Sequence, residues 1–437
     1  MAHLVGKDIY YNLGKKIDGL STRVPYSKEL HALLKDLYTT EEADLIIRMP
    51  YGLADLKTIA RAAKLPEEKL KTLLNGLCHK GLVIDFYNGE EQFYMPSPLV
   101  IGIFEFTMMR TGRDADPKKW AGLFRDYLSR TDTFYAANSP KNAKVSIARA
   151  LPHEETIAED IHAEVLDYEK ATAIVDNASL CSIGLCSCRH EKMHVNEKKC
   201  DVPLESCTSF GFAADYLIRN GLARQASKTE MRELFARSRE MGLVFNADNV
   251  QKNISFICHC CGCCCNMLLG ISRFGYVNTV VTSNYIAHIA DAQCLGCGKC
   301  AAACPINAIT ITPITKPTTR KKKLATINEA CCIGCGVCAL KCPSRSLTLV
   351  KRRQRVFHPE TTFERIILQS LERGTLQNQL FDNVQSVSHR FMRFFLGGFL
   401  RLPPVKRALV SDTLRSRFLS ALKKGVKAQD KEWVTKI

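Results

Sequence analysis

CLGCGKCAAACP, over residues 294–305, and CIGCGVCALKCP, over residues 332–343, are two copies of one cysteine pattern. Each copy has two residues between its first three cysteines, three residues before its fourth, and a proline directly after it. The flanks repeat as well, since Asn307-Ala308-Ile309-Thr310 corresponds to Arg345-Ser346-Leu347-Thr348. The chain therefore contains an internal duplication that carries eight closely spaced thiols.

The spacing within each run suits a metal cluster bound by thiolates. Two intervening residues let a tight loop bring three thiolates to one cluster while the backbone N–H groups face its sulfides. Glycines at 296, 298, 334 and 336 fit loops that need a positive φ or a close backbone approach. Zinc also binds CxxC pairs, but tetrahedral zinc does not need two complete runs of this kind. The pattern therefore favours iron–sulfur clusters.

The two runs resemble the bacterial two-[4Fe–4S] ferredoxin family at every ligand position. The resemblance implies a βαββαβ domain over residues 284–350, in which the fourth cysteine of each run binds the cluster of the other run. The expected ligand sets are Cys294, Cys297 and Cys300 with Cys342, and Cys332, Cys335 and Cys338 with Cys304. Cys331 lies outside both sets, and a basic connector, Pro313 to Lys323, separates the two halves.

A second concentration of cysteines precedes these runs. It comprises Cys181, Cys186-x-Cys188-Arg189, Cys200 and Cys207, and then Cys258-His259-Cys260-Cys261-Gly262-Cys263-Cys264-Cys265. Six thiols within eight residues would be open to oxidation unless a metal bound them. We therefore expect at least one further iron–sulfur cluster, with these candidate ligands: Cys186, Cys188, Cys200, Cys207, Cys258, Cys260 and Cys261.

The choice among these ligands stays open at the level of sequence. Consecutive cysteines point apart, so the six thiols of residues 258–265 cannot all face one metal. Redox-active cysteines, a zinc site and reduced structural cysteines are the alternatives, and a ligand role is open to His190, His194 and His259. The whole arrangement resembles uncharacterised ferredoxin-like proteins of anaerobic bacteria, which join CxCR and CxCCxCCC segments to a C-terminal two-cluster ferredoxin.

The remaining segments complete an expected α+β multidomain class. Residues 1–105 predict a winged-helix-like domain, because helical apolar periodicity is followed by two strands around the turn signal Asn88-Gly89. Residues 106–280 predict a mainly helical, cysteine-rich middle domain. Residues 351–437 predict a basic helical tail. The opening stretch lacks an apolar core of signal-peptide length, and no segment has the roughly 18 apolar residues of a membrane span.

The net positive charge lies in the C-terminal third. Residues 351–437 contain 18 Lys/Arg and 7 Asp/Glu, and residues 281–350 contain 8 and 2, so the rest of the chain carries no net charge. Residues 1–105, with 13 Lys/Arg and 14 Asp/Glu, offer little for DNA phosphates, and nucleic acid is not an expected partner. The tail, with Phe391, Phe394 and Phe395 beside arginines, suits either packing on the ferredoxin domain of the same chain or contact with an acidic protein or an anionic membrane.

The expected function is electron transfer through two [4Fe–4S] clusters and a third site to a partner oxidoreductase. Two alternatives remain: a redox-sensing winged-helix transcription regulator, and an iron–sulfur oxidoreductase whose active site is the middle cysteine cluster. No P-loop or dinucleotide-binding pattern is present, so no catalytic residue can be named. Grouped cysteines in a long chain also indicate a reducing compartment, so we expect a cytoplasmic protein that contacts the inner face of the membrane at most peripherally.

Overall fold

A computed structural model describes residues 8–112, 115–141, 143–314, 323–428 and 431–437. The chain divides into two compact units, neither of which is continuous in sequence. Unit 1 combines the N-terminal segment up to Asn138, the stretch Tyr216–Ala223 and the C-terminal segment from Pro359. Unit 2 comprises Ser139–Asp215 and Arg224–His358. The four-domain division with boundaries at 105, 280–284 and 350 stays a prediction, since one compact unit can contain more than one domain.

The N-terminal part of unit 1 is helical, with a small antiparallel sheet in the order β1-β3-β2. Thr39 caps α3 in a capping box with Glu42, and Asn88-Gly89 fall at the β2–β3 turn. From α3 onward the order is helix, strand, helix, helix, strand, strand. The elements are α1 Ile9–Asp18, α2 Lys28–Leu37, α3 Thr40–Arg48, β1 Ala54–Asp55, α4 Leu56–Ala63, α5 Glu67–His79, β2 Val83–Asn88, β3 Glu91–Pro96, α6 Phe104–Met109, α7 Pro117–Ser129 and α8 Thr133–Asn138.

A seven-stranded sheet dominates the segment between residues 148 and 281, in the order β10-β4-β8-β9-β6-β5-β7. β10 pairs with β4 in parallel, whereas β4–β8, β8–β9, β6–β9 and β5–β6 are antiparallel. The elements are β4 Ala148–Leu151, α9 Ala171–Asn177, β5 Cys181–Leu185, α10 Ser187–His194, β6 Glu205–Phe210, α11 Gly211–Arg219, β7 Ala223–Gln225, α12 Lys228–Glu240, β8 Val244–Asp248, β9 Phe256–Cys260, α13 Asn266–Ser272 and β10 Val280–Val281.

In residues 106–280, predicted to form a mainly helical middle domain, helical residues outnumber strand residues, but the sequence did not indicate the seven-stranded sheet. Its strands are short, and β8 is buried at all five positions, so they lack the alternation of apolar and polar residues that identifies a half-exposed strand. Strands covered on both faces read as continuous apolar runs. The helix predicted from Ser227-x-x-Glu230 is present as α12, with both hydrogen bonds of its capping box.

The two faces of this sheet are covered differently. One face packs against helices α9 and α12 through a hydrophobic core that includes Ile183, Phe245 and Ile257. The other face contributes Ala150, Val244 and Cys260 to a second core, which also contains Cys335 and its neighbours. The sheet therefore separates an ordinary apolar core from a cysteine-rich layer within unit 2.

Residues 285–351 form two antiparallel strand pairs with a short helix in each half. β11 pairs with β14, and β12 pairs with β13. The element order is βαββαβ, as the ferredoxin resemblance implies: β11 Tyr285–Ile289, α14 Lys299–Ala303, β12 Ile309–Pro313, β13 Lys323–Ile327, α15 Val337–Leu340 and β14 Leu347–Lys351. Most of the predicted basic connector, residues 315–322, lies outside the described residues.

The C-terminal segment is helical, as predicted. Its helices are α16 Thr362–Arg373, α17 Leu376–Leu380, α18 Val387–Leu400, α19 Pro403–Val410 and α20 Arg415–Lys427. Phe86 and Phe93 of the small sheet pack against Trp433, so the end of the chain belongs to the core of unit 1. In the part of the chain that the structure describes, no helix combines the length and apolarity needed to cross a membrane.

Candidate iron–sulfur and metal centres

Cys294, Cys297, Cys300 and Cys342, here called the first set, line one small pocket that is partly open to solvent. Cys300 interacts with Cys294 of its own run and with Cys342 of the other run. Cys342 is thus placed with the three cysteines of the first run. The predicted first ligand set is brought together, although its role as a ligand set stays a prediction.

The second set consists of Cys332, Cys335, Cys338 and Cys304. Cys335 and Cys338 each interact electrostatically with Cys332 and with Cys304, which comes from the other run. Burial raises the pKa of Cys335 to about 12 and also raises that of Cys304, so these protonated thiols must lose protons when they bind a metal. Cys338 also interacts with Cys300, so a thiol of each set approaches the other set.

Glycines in the cysteine loops allow close backbone approaches. Gly334 has a φ of +67°, and a Cβ atom there would lie 2.1 Å from the carbonyl oxygen of Tyr285. Gly296, in the corresponding position of the first run, has a φ of +62°, and its Cβ would lie 2.2 Å from the carbonyl oxygen of Lys323. Any other residue would push these loops away from the neighbouring strands.

The surroundings of the two exchanged cysteines differ. The hydroxyl oxygens of Ser346 and Ser344 lie 3.4 and 3.6 Å from Cys342 Sγ. Burial opposes ionisation there, but hydrogen bonding within the group formed by Cys342, Ser346 and Ser344 outweighs it and lowers the pKa of Cys342. At Cys304 the corresponding residues are Ile306 and Ala308, and Sγ accepts a backbone hydrogen bond from Ala308 N at 3.2 Å. Of the two repeats, only the second therefore places serine hydroxyl groups at these positions beside its exchanged cysteine.

Ten of the eleven middle cysteines form two groups, and Cys181 lies apart in the core on the other face of the sheet. The six-thiol group consists of Cys186, Cys188, Cys207, Cys258, Cys260 and Cys265, all described by the structure. Its thiols form a chain of contacts, from Cys207 to Cys258, Cys260, Cys265 and Cys188. Cys186 interacts with Cys188 and Cys207 and closes the group.

Strand pairing and helix starts create the six-thiol group. Cys207 of β6 lies directly opposite Cys258 of β9, and Cys260 follows on the same face of β9. Cys186 and Cys265 are the N-terminal cap residues of α10 and α13. Contact with Cys207 and then with Cys260 raises the pKa of Cys258, whereas contacts with Cys258 and Cys265 lower the pKa of Cys260 to about 6. These thiols are close enough that the ionisation of one changes the pKa of its neighbours.

The four-thiol group consists of Cys200, Cys261, Cys263 and Cys264, whose Sγ atoms all lie within 4.8 Å of one another. Cys200 Sγ lies 3.6 Å from Cys261 Sγ and 4.0 Å from Cys264 Sγ. Cys263 Sγ lies 3.7 Å from Cys261 Sγ and 3.5 Å from Cys264 Sγ. No disulfide joins any of the 21 cysteines, all of which the structure describes.

The predicted middle ligands are thus divided between two groups. Cys186, Cys188, Cys207, Cys258 and Cys260 belong to the six-thiol group, whereas Cys200 and Cys261 belong to the four-thiol group. Sequence reasoning did not select Cys263, Cys264 or Cys265. The alternation of Cys258 and Cys260 around His259 was a usable signal, because it places both thiols on one face of a strand. The remaining three depend on the turn that follows.

His259 lies on the opposite face of β9 from the thiols. Its Nδ1 lies 2.8 Å from Ser238 Oγ and its Nε2 lies 3.4 Å from Thr208 Oγ1. Both ring nitrogens therefore have hydrogen-bond partners, and the ligand role considered for His259 is not supported. His190 and His194, one turn apart on α10, contact each other through their Nε2 atoms at 2.9 Å.

Arg189 is a fully buried cation between the two middle groups. Its guanidinium donates to Ser206 Oγ and to the carbonyl oxygen of His259. It also interacts with Cys186 of the six-thiol group and hydrogen-bonds with Cys261 of the four-thiol group. A buried cation in this place stabilises thiolates on both sides.

The middle cysteines also lie against the second set. Gly262, within the cysteine-rich turn, packs so closely on Pro305 that a Cβ atom would lie 2.9 Å from the Pro305 carbonyl oxygen. Cys260 and Cys265 share a hydrophobic core with Cys335, and Cys258 and Cys304 pack against that core. The six-thiol group and the second set therefore belong to one continuous layer of unit 2.

Comparison with known proteins gives one match. The family model of the 4Fe-4S dicluster domain matches residues 293–346, which include both cysteine runs. No curated protein and no solved structure was found to match the chain. Together with the clustered cysteines, this match indicates an iron–sulfur protein of the electron-transfer type, with 4Fe–4S binding in the duplicated segment.

Proposed function

We propose that this protein relays electrons, one at a time, between a surface centre and a buried middle centre through its dicluster domain. The observation that carries the proposal is the exchange of cysteines between the two runs, which yields two four-thiol sets beside one hydrophobic core. When bound, a [4Fe–4S] cluster supplies a one-electron carrier whose potential the protein sets by hydrogen bonds and exposure.

The residues fit such clusters chemically. Each set offers four thiols, and glycine loops hold backbone N–H groups towards them, as for Gly296 N and Cys294 Sγ at 3.4 Å. The first set would hold one [4Fe–4S] cluster, and the second set would hold the other. Soft thiolates in this number select iron–sulfur clusters over harder metal ions such as magnesium or calcium.

The first set is positioned to exchange electrons with another protein. Cys297 is exposed, and Leu295 beside it is 64% exposed, whereas Cys335 and Cys338 of the second set are buried. Cys300 and Cys338 approach each other between the sets. A redox partner, which we take to be an oxidoreductase, is therefore expected to dock over Leu295 and Cys297.

The six-thiol group is the proposed site of a third iron–sulfur cluster. It supplies more thiols than the four that a cubane requires, and it adjoins Arg189. Cys260 and Cys265 are buried and its other four thiols are half-buried. Its place beside Cys304 and Cys335 extends the line of thiol sites inward from the first set. We propose that the clusters along this line of thiol sites have low reduction potentials, because burial and the negative charge of thiolate ligands both disfavour an added electron.

A DNA-binding role is less well supported. The order from α3 to β3 is that of a winged helix, and α5 would occupy the recognition position. Lys69 and Lys80, two lysines of this region, form ion pairs of 2.7 Å with Glu41 and Glu42. Those charges are already compensated and contribute little to binding of phosphates. We therefore propose docking or dimerisation for this part of unit 1.

The C-terminal tail is proposed to contact an anionic membrane surface peripherally. In α18 the apolar residues point outward: Phe391, Phe394, Phe395 and Phe399 are all exposed, with Phe394 86% exposed. Leu400 and Gly397 face inward instead. An outward aromatic stripe on a segment with 18 Lys/Arg and 7 Asp/Glu combines the two features that bind helices to anionic lipid.

The deciding experiment is metal analysis with EPR on the full chain, purified without oxygen. We expect at least about 8 iron atoms and 8 acid-labile sulfides per chain, and about 12 of each when the third cluster is present, at four per cubane. Cys335→Ser should lower iron by about four atoms, whereas the matched control Cys331→Ser, outside every group, should not. Iron-free protein with intact folding would refute the relay.

A further inference from the structure

The four-thiol group has the dimensions of a site for one metal ion. Zinc binds four thiolates tetrahedrally at about 2.3 Å, so the sulfur atoms of such a site lie about 3.8 Å apart. The four measured separations, among Cys200, Cys261, Cys263 and Cys264, run from 3.5 to 4.0 Å. We propose that this group binds a single Zn²⁺ ion.

These separations are too short for a cubane. Each thiolate of a [4Fe–4S] cluster binds a different iron atom, which spreads the four sulfurs to roughly 6 Å from one another. The sulfur separations of the first and second sets can be compared with those of the four-thiol group within the same chain. Among the described residues, which include every cysteine, no other group of three or more His, Cys, Asp or Glu brings its ligand atoms within 4.8 Å of one another. The compact group is therefore a different kind of site from the two dicluster sets.

Local structure holds the four thiols in this arrangement. Cys261, Cys263 and Cys264 lie in the turn between β9 and α13, which is closed by a hydrogen bond from Cys265 N to the Cys261 carbonyl oxygen at 3.2 Å. Cys200 comes from the irregular segment between α10 and β6. Cys261 and Cys264 are buried with Val202 and Leu243, and the half-buried Cys200 and Cys263 pack against them. Four protein thiolates would fill a tetrahedral zinc site and leave no position open to substrate. Closed four-cysteine sites are structural zinc sites.

Nearby cations offset the charge of such a complex. Four thiolates and one divalent ion carry a net charge of −2, which requires compensation in a buried position. Arg189 hydrogen-bonds with Cys261, and the ammonium group of Lys198 donates to the carbonyl oxygen of Cys200. The chain therefore places two positive charges around the proposed ion.

The zinc ion would fasten the segment carrying Cys200 to the cysteine-rich turn. That turn also contains Gly262, which packs on Pro305, and it leads into Cys265 of the six-thiol group. The proposal removes Cys200 and Cys261 from the ligands of any third iron–sulfur cluster. It does not depend on the relay function, because zinc carries no electrons.

The test is zinc analysis and zinc-edge X-ray absorption on the unmodified full chain, purified without oxygen. We expect about one zinc per chain with four sulfur neighbours at about 2.3 Å. Cys264→Ser should lower zinc at least about fivefold while iron and labile sulfide stay unchanged. The matched variants are Cys258→Ser, which should keep zinc, and Cys331→Ser, which should keep all metals.

The outcomes separate this proposal from the relay. Loss of about four iron atoms and four sulfides in Cys264→Ser, with zinc unchanged, would make the four-thiol group part of a cluster and overturn the proposal. Absence of zinc from the unmodified chain, or zinc bound by fewer than four sulfurs, would also overturn it even if the variant fails to fold. Failure of the relay proposal would appear instead as missing iron and acid-labile sulfide in the unmodified chain.

Discussion

Replacement of Ser346 by alanine should lower the reduction potential of the first set's cluster and leave the other cluster unchanged. Ser346 Oγ lies 3.4 Å from Cys342 Sγ, and Ser344 donates to Ser346 at 3.1 Å. A cluster-bound thiolate can only accept a hydrogen bond, so Ser346 would donate its own hydrogen to the sulfur. A donor of this kind stabilises the reduced cluster, which has the greater negative charge, more than the oxidised cluster.

The size of the shift follows from the strength of one hydrogen bond. A hydrogen bond to a charged acceptor contributes about 1.5–3 kcal/mol, and we take roughly half of it, about 1 kcal/mol, to depend on the added electron. For a one-electron couple, about 1 kcal/mol corresponds to about 40 mV. Ser346→Ala is expected to lower the potential by about 40 mV, and Ser344→Ala by about half as much because it acts through Ser346.

The assay is an EPR-monitored redox titration of the full chain without oxygen, with the cluster of the second set as the internal control. Ala308 occupies the position that corresponds to Ser346, so the reciprocal variant Ala308→Ser should raise the potential of the other cluster. A rise in potential for Ser346→Ala, equal shifts of both clusters, or shifts below about 10 mV would refute the reasoning.

Three further results are expected. Gly334→Ala should remove about four iron atoms per chain by displacing the second run, whereas Gly122→Ala, where a Cβ meets open space, should remove none by the same metal analysis. Burial raises the pKa of Glu105 to about 8, so its carboxylate destabilises the fold increasingly as pH rises from about 4.5 to about 8. Glu105→Gln should therefore raise the free energy of unfolding, measured by urea titration, by up to about 5 kcal/mol at pH 9 and by much less at pH 5; an equal gain at both would contradict this. Phe394→Ser combined with Phe395→Ser should reduce cosedimentation with anionic vesicles, and unchanged cosedimentation would exclude the stripe as a membrane contact.

The dicluster domain was predictable because its ligand spacing is local. Three thiols within seven residues can reach one cluster whatever the remainder of the chain does, and the repeat supplies the fourth thiol from the other half. The family match over residues 293–346 and the βαββαβ order agree with that reading. Helical character of the C-terminal segment was also predictable, because its apolar residues recur at helical intervals.

The middle region was not predictable in the same way. Its thiols come from β6, β9, the starts of α10 and α13, and a turn, so their grouping depends on pairing between strands distant in sequence. A shift of one residue in the β6–β9 register would move Cys258 to the opposite face from Cys207. Periodicity could not reveal this sheet, because its central strands are buried on both faces.

The sequence alone determined that eight cysteines at fixed intervals form a duplicated dicluster segment and that excess positive charge lies towards the C-terminus. Tertiary structure alone decided which of the other cysteines meet. It divided Cys186 and Cys188 from Cys200 and Cys261, and it placed Cys263, Cys264 and Cys265 in roles that sequence did not assign. The physical reason is that covalent spacing determines which residues are neighbours only within a loop. Strand register and burial determine which residues are neighbours when they come from segments distant in sequence.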